Sequence, residues 1–99
     1  MEYEWDEQKN QLNIEKHGLS FEMAPEVFTD VHLTRLDTRF DYGEDRYLTM
    51  GLLEKRVVIV AHTPRNDAIR IISMRKANER EQKVYNKKIS AIKKSGIDD

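Results

Sequence analysis

The sequence predicts an α+β fold: an antiparallel sheet of about four to five strands, two helices before it and one after it. Three observations lead there. Between residues 31 and 74 the apolar residues recur with a period of two, in runs divided by turn signals. Outside that stretch the apolar spacing is helical and bounded by capping residues. The connections between the strand runs are also too short for a parallel crossover, which needs about a dozen residues or more.

The elements follow in order. Met1–Trp5 reads as a short strand. Asp6 can accept from the free amides of a first turn and so cap a helix over 7–16, and Gly18 stands where a helix stops. Ser20 can cap a second helix, in which Phe21, Ala24, Val27 and Phe28 form one apolar face. Pro25 disturbs a helix interior, so this helix either starts later than Ser20 or has an irregular first turn.

The strands come next. Val31 and Leu33 alternate with His32 and Thr34, and in "RYLTMGLL" Leu48, Met50 and Leu52 share one face. "RVVIVAHT", 56–63, is apolar on both faces, as a central strand should be. "IRIISM", 69–74, is a further strand, with turns at 41–43, 54–55 and 64–67. Asn78 with Glu81 three residues on makes a capping box for the last helix, whose mixed face carries Ala77, Glu81, Val84, Tyr85, Lys88, Ile89 and Ile92. The end, from about 94 to 99, reads as frayed. The helices are expected on one face of the sheet.

The length of 99 residues suits one domain spanning 1–99 with one modest core. No apolar run approaches the roughly 20 residues of a membrane helix, and the acidic "MEYEWDEQ" is unlike a secretory signal. With no cysteine there is no disulfide framework, thiolate metal site or cysteine nucleophile, which fits a cytoplasmic protein.

Charge is distributed unevenly. Residues 1–45 carry a net charge of −8 and residues 46–99 a net charge of +7. The halves either neutralise one another in the fold, the reading that charge alone favours, or offer a basic surface to a polyanion and an acidic one to a basic partner.

The motifs narrow the chemistry. His17, His32 and His62 have no metal-ligand spacing, and neither GxGxxG nor GxxxxGK[ST] occurs. No serine triad is visible. Arginines, however, gather at strand ends: Arg46 opens one strand, Arg65 sits in a turn, and Arg75 ends a strand just before a helix N-terminus that bears Arg80 and Lys83. Free N–H groups at a helix start favour an anion, and arginines add forked donors that match phosphate. The competing reading is solvated arginines paired with Glu44, Glu79 and Glu81.

A resemblance changes the balance. Trp5-Asp6, Lys16-His17-Gly18, Phe21, Ala24, Phe28, Asp30, Gly43-Glu44-x-Arg46, Thr63-x-Arg65, Arg70-Ile71-Ile72-Ser73-x-Arg75-x-Ala77, Glu81 and Tyr85 occur in order over residues 3 to 85. In this the chain resembles the BrnT family, ribonuclease toxins of type II toxin–antitoxin systems with a RelE-like fold. Lys76-Ala77-Asn78 stands where the family often has more arginine.

The resemblance implies a metal-independent endoribonuclease with no cofactor, which attacks with the RNA's own 2′-hydroxyl and inhibits translation and growth. It implies Arg75 and Arg80 at the scissile phosphate, Arg46, Arg65 and Lys83 along the RNA backbone, and Glu79, Glu81 or His17 for proton transfer. Tyr85 would stack on a base or act as general acid. The partners implied are RNA and a BrnA-like ribbon-helix-helix antitoxin, with operator DNA reached only through the antitoxin. The alternative function is a non-catalytic RNA-binding or protein-interaction module.

Overall fold

The computed structural model describes residues 2–96. The chain runs β1 (Glu2–Glu4), α1 (Glu7–His17), a 3-10 turn (Phe21–Met23), α2 (Ala24–Thr29), β2 (Leu33–Leu36), β3 (Tyr47–Leu53), β4 (Arg56–Arg65), β5 (Ala68–Lys76) and α3 (Glu79–Gly96). The architecture is α+β, built on one five-stranded sheet of order β1-β5-β4-β3-β2. Of the segment read as a frayed end, α3 takes in the residues up to Gly96, and 97–99 lie outside the described residues.

The sheet is mixed, which corrects the antiparallel expectation. β2 to β5 pair antiparallel, but β1 lies parallel to β5, with Tyr3 opposite Ile69. The short-connection argument binds only neighbours joined by a hairpin. Most of the chain lies between β1 and β5, so no turn dictates their relative direction. The β3–β4 turn is tight: Glu54 and Lys55 join the strands, both at positive φ (51° and 71°), as a two-residue hairpin loop of the primed type requires.

The helices also lie on both sides of the sheet rather than one. β4 is apolar on both faces because each face has its own cover. Val58 and Val60 pack with Phe21, Ala24, Val27, Leu53, Ile71 and Met74 beneath the 3-10 turn and α2. Val57 and Ile59 pack with Leu48, Ala77, Tyr85 and Ile89 beneath α3. α2 sits so close that a Cβ on Gly51 of β3 would stand 2.8 Å from Val27 Cγ1 and 2.9 Å from its carbonyl oxygen. The entry to α2 is irregular for the reason Pro25 implies. Ser20 Oγ accepts from Glu22 N at 3.3 Å, a 3-10 turn follows, and Pro25 falls in the first turn of α2, where its missing N–H is not needed.

α1 is held by amides more than by apolar contacts. Asp6 caps it, accepting from Gln8 N at 2.8 Å, and Gly18 closes it at φ 71°. Its buried residues are Asn10 and Asn13. Asn10 Oδ1 accepts from Phe21 N at 2.8 Å, while Asn13 donates to Leu19 O and accepts from Met74 N of β5 at 3.1 Å. α1 thus satisfies a backbone group, Met74 N, on the part of β5 beyond residues 68–70 where β1 pairs. Between His62 and Ala61 the β4–β5 register slips, leaving Ile72 without a partner. This bulge resets β5 before Arg75.

Candidate functional site

The register sets out the face beneath α3 in rows across the strands. One row is Leu33, Met50, Ile59 and Arg75; the next is Arg35, Leu48, Ala61 and Ser73. Directly opposed residues share a face, so two arginines stand at opposite ends of an apolar sheet surface. Arg75 lies under the first turn of α3. Both its terminal nitrogens donate to Glu81, at 2.8 Å each. Glu81 Oε1 also accepts from Asn78 N at 2.8 Å, and Asn78 Oδ1 accepts from Glu81 N at 2.8 Å.

The expected capping box is therefore present and is joined to a forked arginine. The Arg75 guanidinium pulls the Glu81 carboxyl down to about 2, with burial opposing and the Asn78 N–H assisting. Glu81 in turn raises Arg75 above the usual arginine range.

Beside this pair a cleft of about 420 Å³ opens between α3 and the sheet. Leu33, Leu48, Met50 and Ile59 supply an apolar surface, Val84 lies on the α3 side, and Arg35, Arg80, Glu81 and Lys88 provide the charges. The ion pairing of the arginines is informative here. Among the described residues Arg39, Arg46, Arg65, Arg70 and Arg75 are in ion pairs, while Arg35, Arg56 and Arg80 are in none. Two of those three line this cleft. The charge of Arg35 contributes to lowering Glu81, and Arg39, clamped to buried Asp37 at 2.9 Å, lies close enough for its charge to act on Arg75. The cleft thus holds cations without matching anions, an arrangement suited to an anionic ligand.

A family model described as ribonuclease toxin, BrnT, of type II toxin–antitoxin system matches residues 5–81. The chain belongs to the BrnT family. No curated protein matches it. Membership of this toxin family makes RNA the substrate class and an antitoxin the protein partner. The matched segment contains Arg35, Arg75, Arg80 and Glu81, whereas Val84 and Lys88 of the cleft lie beyond it.

The BrnT-type residues expected from sequence separate into groups. Arg75, Arg80 and Glu81 come together at the cleft. Arg46 and Arg65 share Glu44, at 3.3 and 3.9 Å, and Arg46 also lies over the Tyr42 ring at 4.2 Å. Arg46, just before β3, is offset from Arg75 on β5 by two rows along the strands, about 13 Å at two residues per row, and by two strands across the sheet. Glu79 and Lys83 pair with each other at 3.9 Å on the exposed side of α3. His17 ends α1, and no hydrogen bond or ion pair joins it to the Arg75 cluster among the described residues. Tyr85 is 3 % exposed and donates its hydroxyl to Val31 O at 2.8 Å. Its ring cannot stack on a base from there, and burial raises its phenol away from proton donation.

Arg35 was not singled out from sequence, although a signal for it existed. It continues the Val31, Leu33 alternation, so it is a charge at a position phased with apolar residues. The opposite face carries another polar group, His62, which is fully accommodated there. His62 Nε2 lies 2.7 Å from Thr49 Oγ1, which is 2.7 Å from Thr34 Oγ1. Phe28 meets the imidazole edge-on at 5.1 Å and Tyr47 stacks on it at 5.9 Å. Burial, and secondarily the charge of His32, lowers His62 to about 4.

Proposed function

We propose that the cleft between α3 and the sheet is the ribonuclease site and that the chain cleaves RNA by 2′-hydroxyl attack without a metal. The single observation that carries this reading is the clustering of Arg35 and Arg80, unpaired among the described residues, with the Arg75–Glu81 pair around one cleft. In the resting protein Glu81 occupies two of the five N–H donors of Arg75. The scissile phosphate replaces Glu81 on Arg75 and draws Arg35 and Arg80 to its non-bridging oxygens.

A carboxylate held near 2 is a weak base at neutral pH. Released from the fork, Glu81 regains basicity and accepts the 2′-hydroxyl proton. The 2′-oxygen bonds to phosphorus, the P–O5′ bond breaks, and Lys88, which lines the cleft, protonates the departing oxygen. The products are a 2′,3′-cyclic phosphate and a 5′-hydroxyl. Arginines stabilising the phosphorane supply most of the rate, in the manner of an oxyanion hole. Arg46 and Arg65 extend the cationic track along the RNA.

The acidic N-terminal half and the basic cleft face together suit a BrnA-like ribbon-helix-helix antitoxin that covers Arg75. Operator DNA is reached only through that antitoxin.

The test is incubation with RNA in chelator, with Arg75→Ala and Arg80→Ala beside wild type. Wild type is expected to release cyclic-phosphate ends, and each variant to lose on the order of 10²-fold or more in rate. Wild-type cleavage rates in both variants, or cleavage leaving 5′-phosphate ends, overturns the assignment.

A further inference from the structure

Phosphate binding does not account for all of this cleft. A site for phosphate alone needs donors, yet Leu48, Met50 and Ile59 give the cleft an apolar surface and Val84 adds to it from α3. Its cations stand on both sides, Arg35 from β2 and Arg80 with Lys88 from α3. The one carboxylate among the lining residues, Glu81, is already committed to Arg75. Its volume of about 420 Å³ falls in the roughly 300–1,000 Å³ range of small-molecule pockets.

We infer that the cleft receives one unpaired nucleobase, laid on the apolar sheet face between Arg35 and Arg80, so that the substrate is single-stranded RNA at that position. A base has apolar faces and a polar rim, and it carries its charge on the attached phosphates. The cleft offers the same distribution in complement: an apolar surface with cations at the edges. In an A-form duplex those faces are stacked and the pairing edge is occupied, so a paired base cannot be presented in this way. The inference rests on the ribonuclease reading above and adds the form of RNA that the site accepts.

The experiment separates the two claims. A short 2′-O-methyl oligonucleotide lacks the attacking hydroxyl, so binding is read without cleavage. Its affinity is compared, at fixed salt, with that of the same chain carrying a single abasic position, moved along the sequence, and with that of its duplex. One abasic position is expected to cost about tenfold or more, the usual range for a stacked base, and the duplex to bind weakly. Val84 is 40 % exposed, so Val84→Trp can fill the cleft without overpacking the core. That variant should bind intact and abasic chains alike, with the salt dependence of wild type retained.

Equal affinity of wild type for intact and abasic chains overturns the inference. So does a Val84→Trp chain that binds RNA as wild type does but no longer binds the antitoxin, because the cleft would then be a protein site. If unmodified RNA is not cleaved by wild type while the abasic penalty is present, the ribonuclease reading fails and the base site stands.

Discussion

The two faces of the sheet are built from the same strands and treat polar groups in opposite ways. Beneath α2 the face is closed. Phe21, Val27 and Val60 are fully buried, and a titratable group there, His62, is hydrogen-bonded to Thr49 and enclosed by Phe28 and Tyr47. Beneath α3 the cover is partial, and Arg35 and Arg80 have no ion-pair partner among the described residues. A buried polar group without a partner costs on the order of 1–3 kcal/mol, and among the described side chains none is left in that state. The cations of the cleft avoid that cost by remaining solvated, which keeps them free for a ligand. The closed face sustains the fold, and the open face holds its charge in reserve.

The largest effect should come from opening the closed face. Phe21 is completely buried, so Phe21→Ala should cost about 3–5 kcal/mol. That is a large share of the 5–15 kcal/mol typical of a domain. Denaturant unfolding measures it, and cleavage per folded molecule should be unchanged if the faces are independent. A smaller effect is expected from Gly51→Ala. Its methyl group would press on Val27 and its carbonyl, and overpacking of this kind costs about 1–3 kcal/mol. A shift in unfolding midpoint below that range would mean that α2 can move away from β3.

Acid should act on the two faces in different windows. His62 takes up its proton near 4 in the fold, against 6.5 in the unfolded chain. The unfolded state therefore binds more protons between those values, and stability falls as pH drops from 6.5 toward 4. Glu81 titrates near 2 in the fold, against 4.5 ordinarily, so its contribution is lost only as pH falls from 4.5 toward 2. Thermal melts between pH 7 and 5 should thus report the α2 face, and His62→Gln should remove most of that slope. An unchanged slope would place the acid sensitivity elsewhere.

What the sequence made legible was local. Asp6, Gly18 and the Asn78–Glu81 box act within a few residues, and the structure has all three. The double-sided apolar run of β4 was equally plain, since burial on both faces suppresses alternation. The side on which each helix packs was not legible, because an amphipathic helix fits either face of a sheet whose central strand is apolar on both. The parallel direction of β1 and the unpartnered Ile72 depend on pairings far apart in sequence. Nothing in the local sequence marks Asn10 and Asn13, and only the approach of α1 to its neighbours turns them into partners of Phe21 N and Met74 N.

At the site, Arg75 was visible as a charge ending a strand. Its bond to Glu81 required the turn at Ala77-Asn78 to bring position 81 back over 75. The helical period already placed Tyr85 on the face of Ile89, which was a sign that its ring is buried. Arg35 and Arg80 matter because they have no ion-pair partner among the described residues, a property that depends on where the carboxylates lie in space.

The smallest stability change makes the sharpest comparison. Arg35→Ala removes a cation that makes no ion pair among the described residues and faces Arg80 and Lys88 across the cleft. Arg35 is repelled by Arg80 and Lys88 but attracted by Glu81, so the variant should keep its unfolding free energy within about 0.5 kcal/mol of wild type. Its RNA cleavage should nevertheless fall, and its affinity for intact and abasic oligonucleotides should drop by the same factor, because Arg35 meets phosphate rather than base. A residue that supports the fold would show the reverse: lost stability, and activity lost only in proportion to the unfolded fraction. Unfolding and cleavage measured on one preparation decide between these outcomes. Destabilisation of Arg35→Ala by more than about 1 kcal/mol would mean that the open face, like the closed one, is held together by its polar groups.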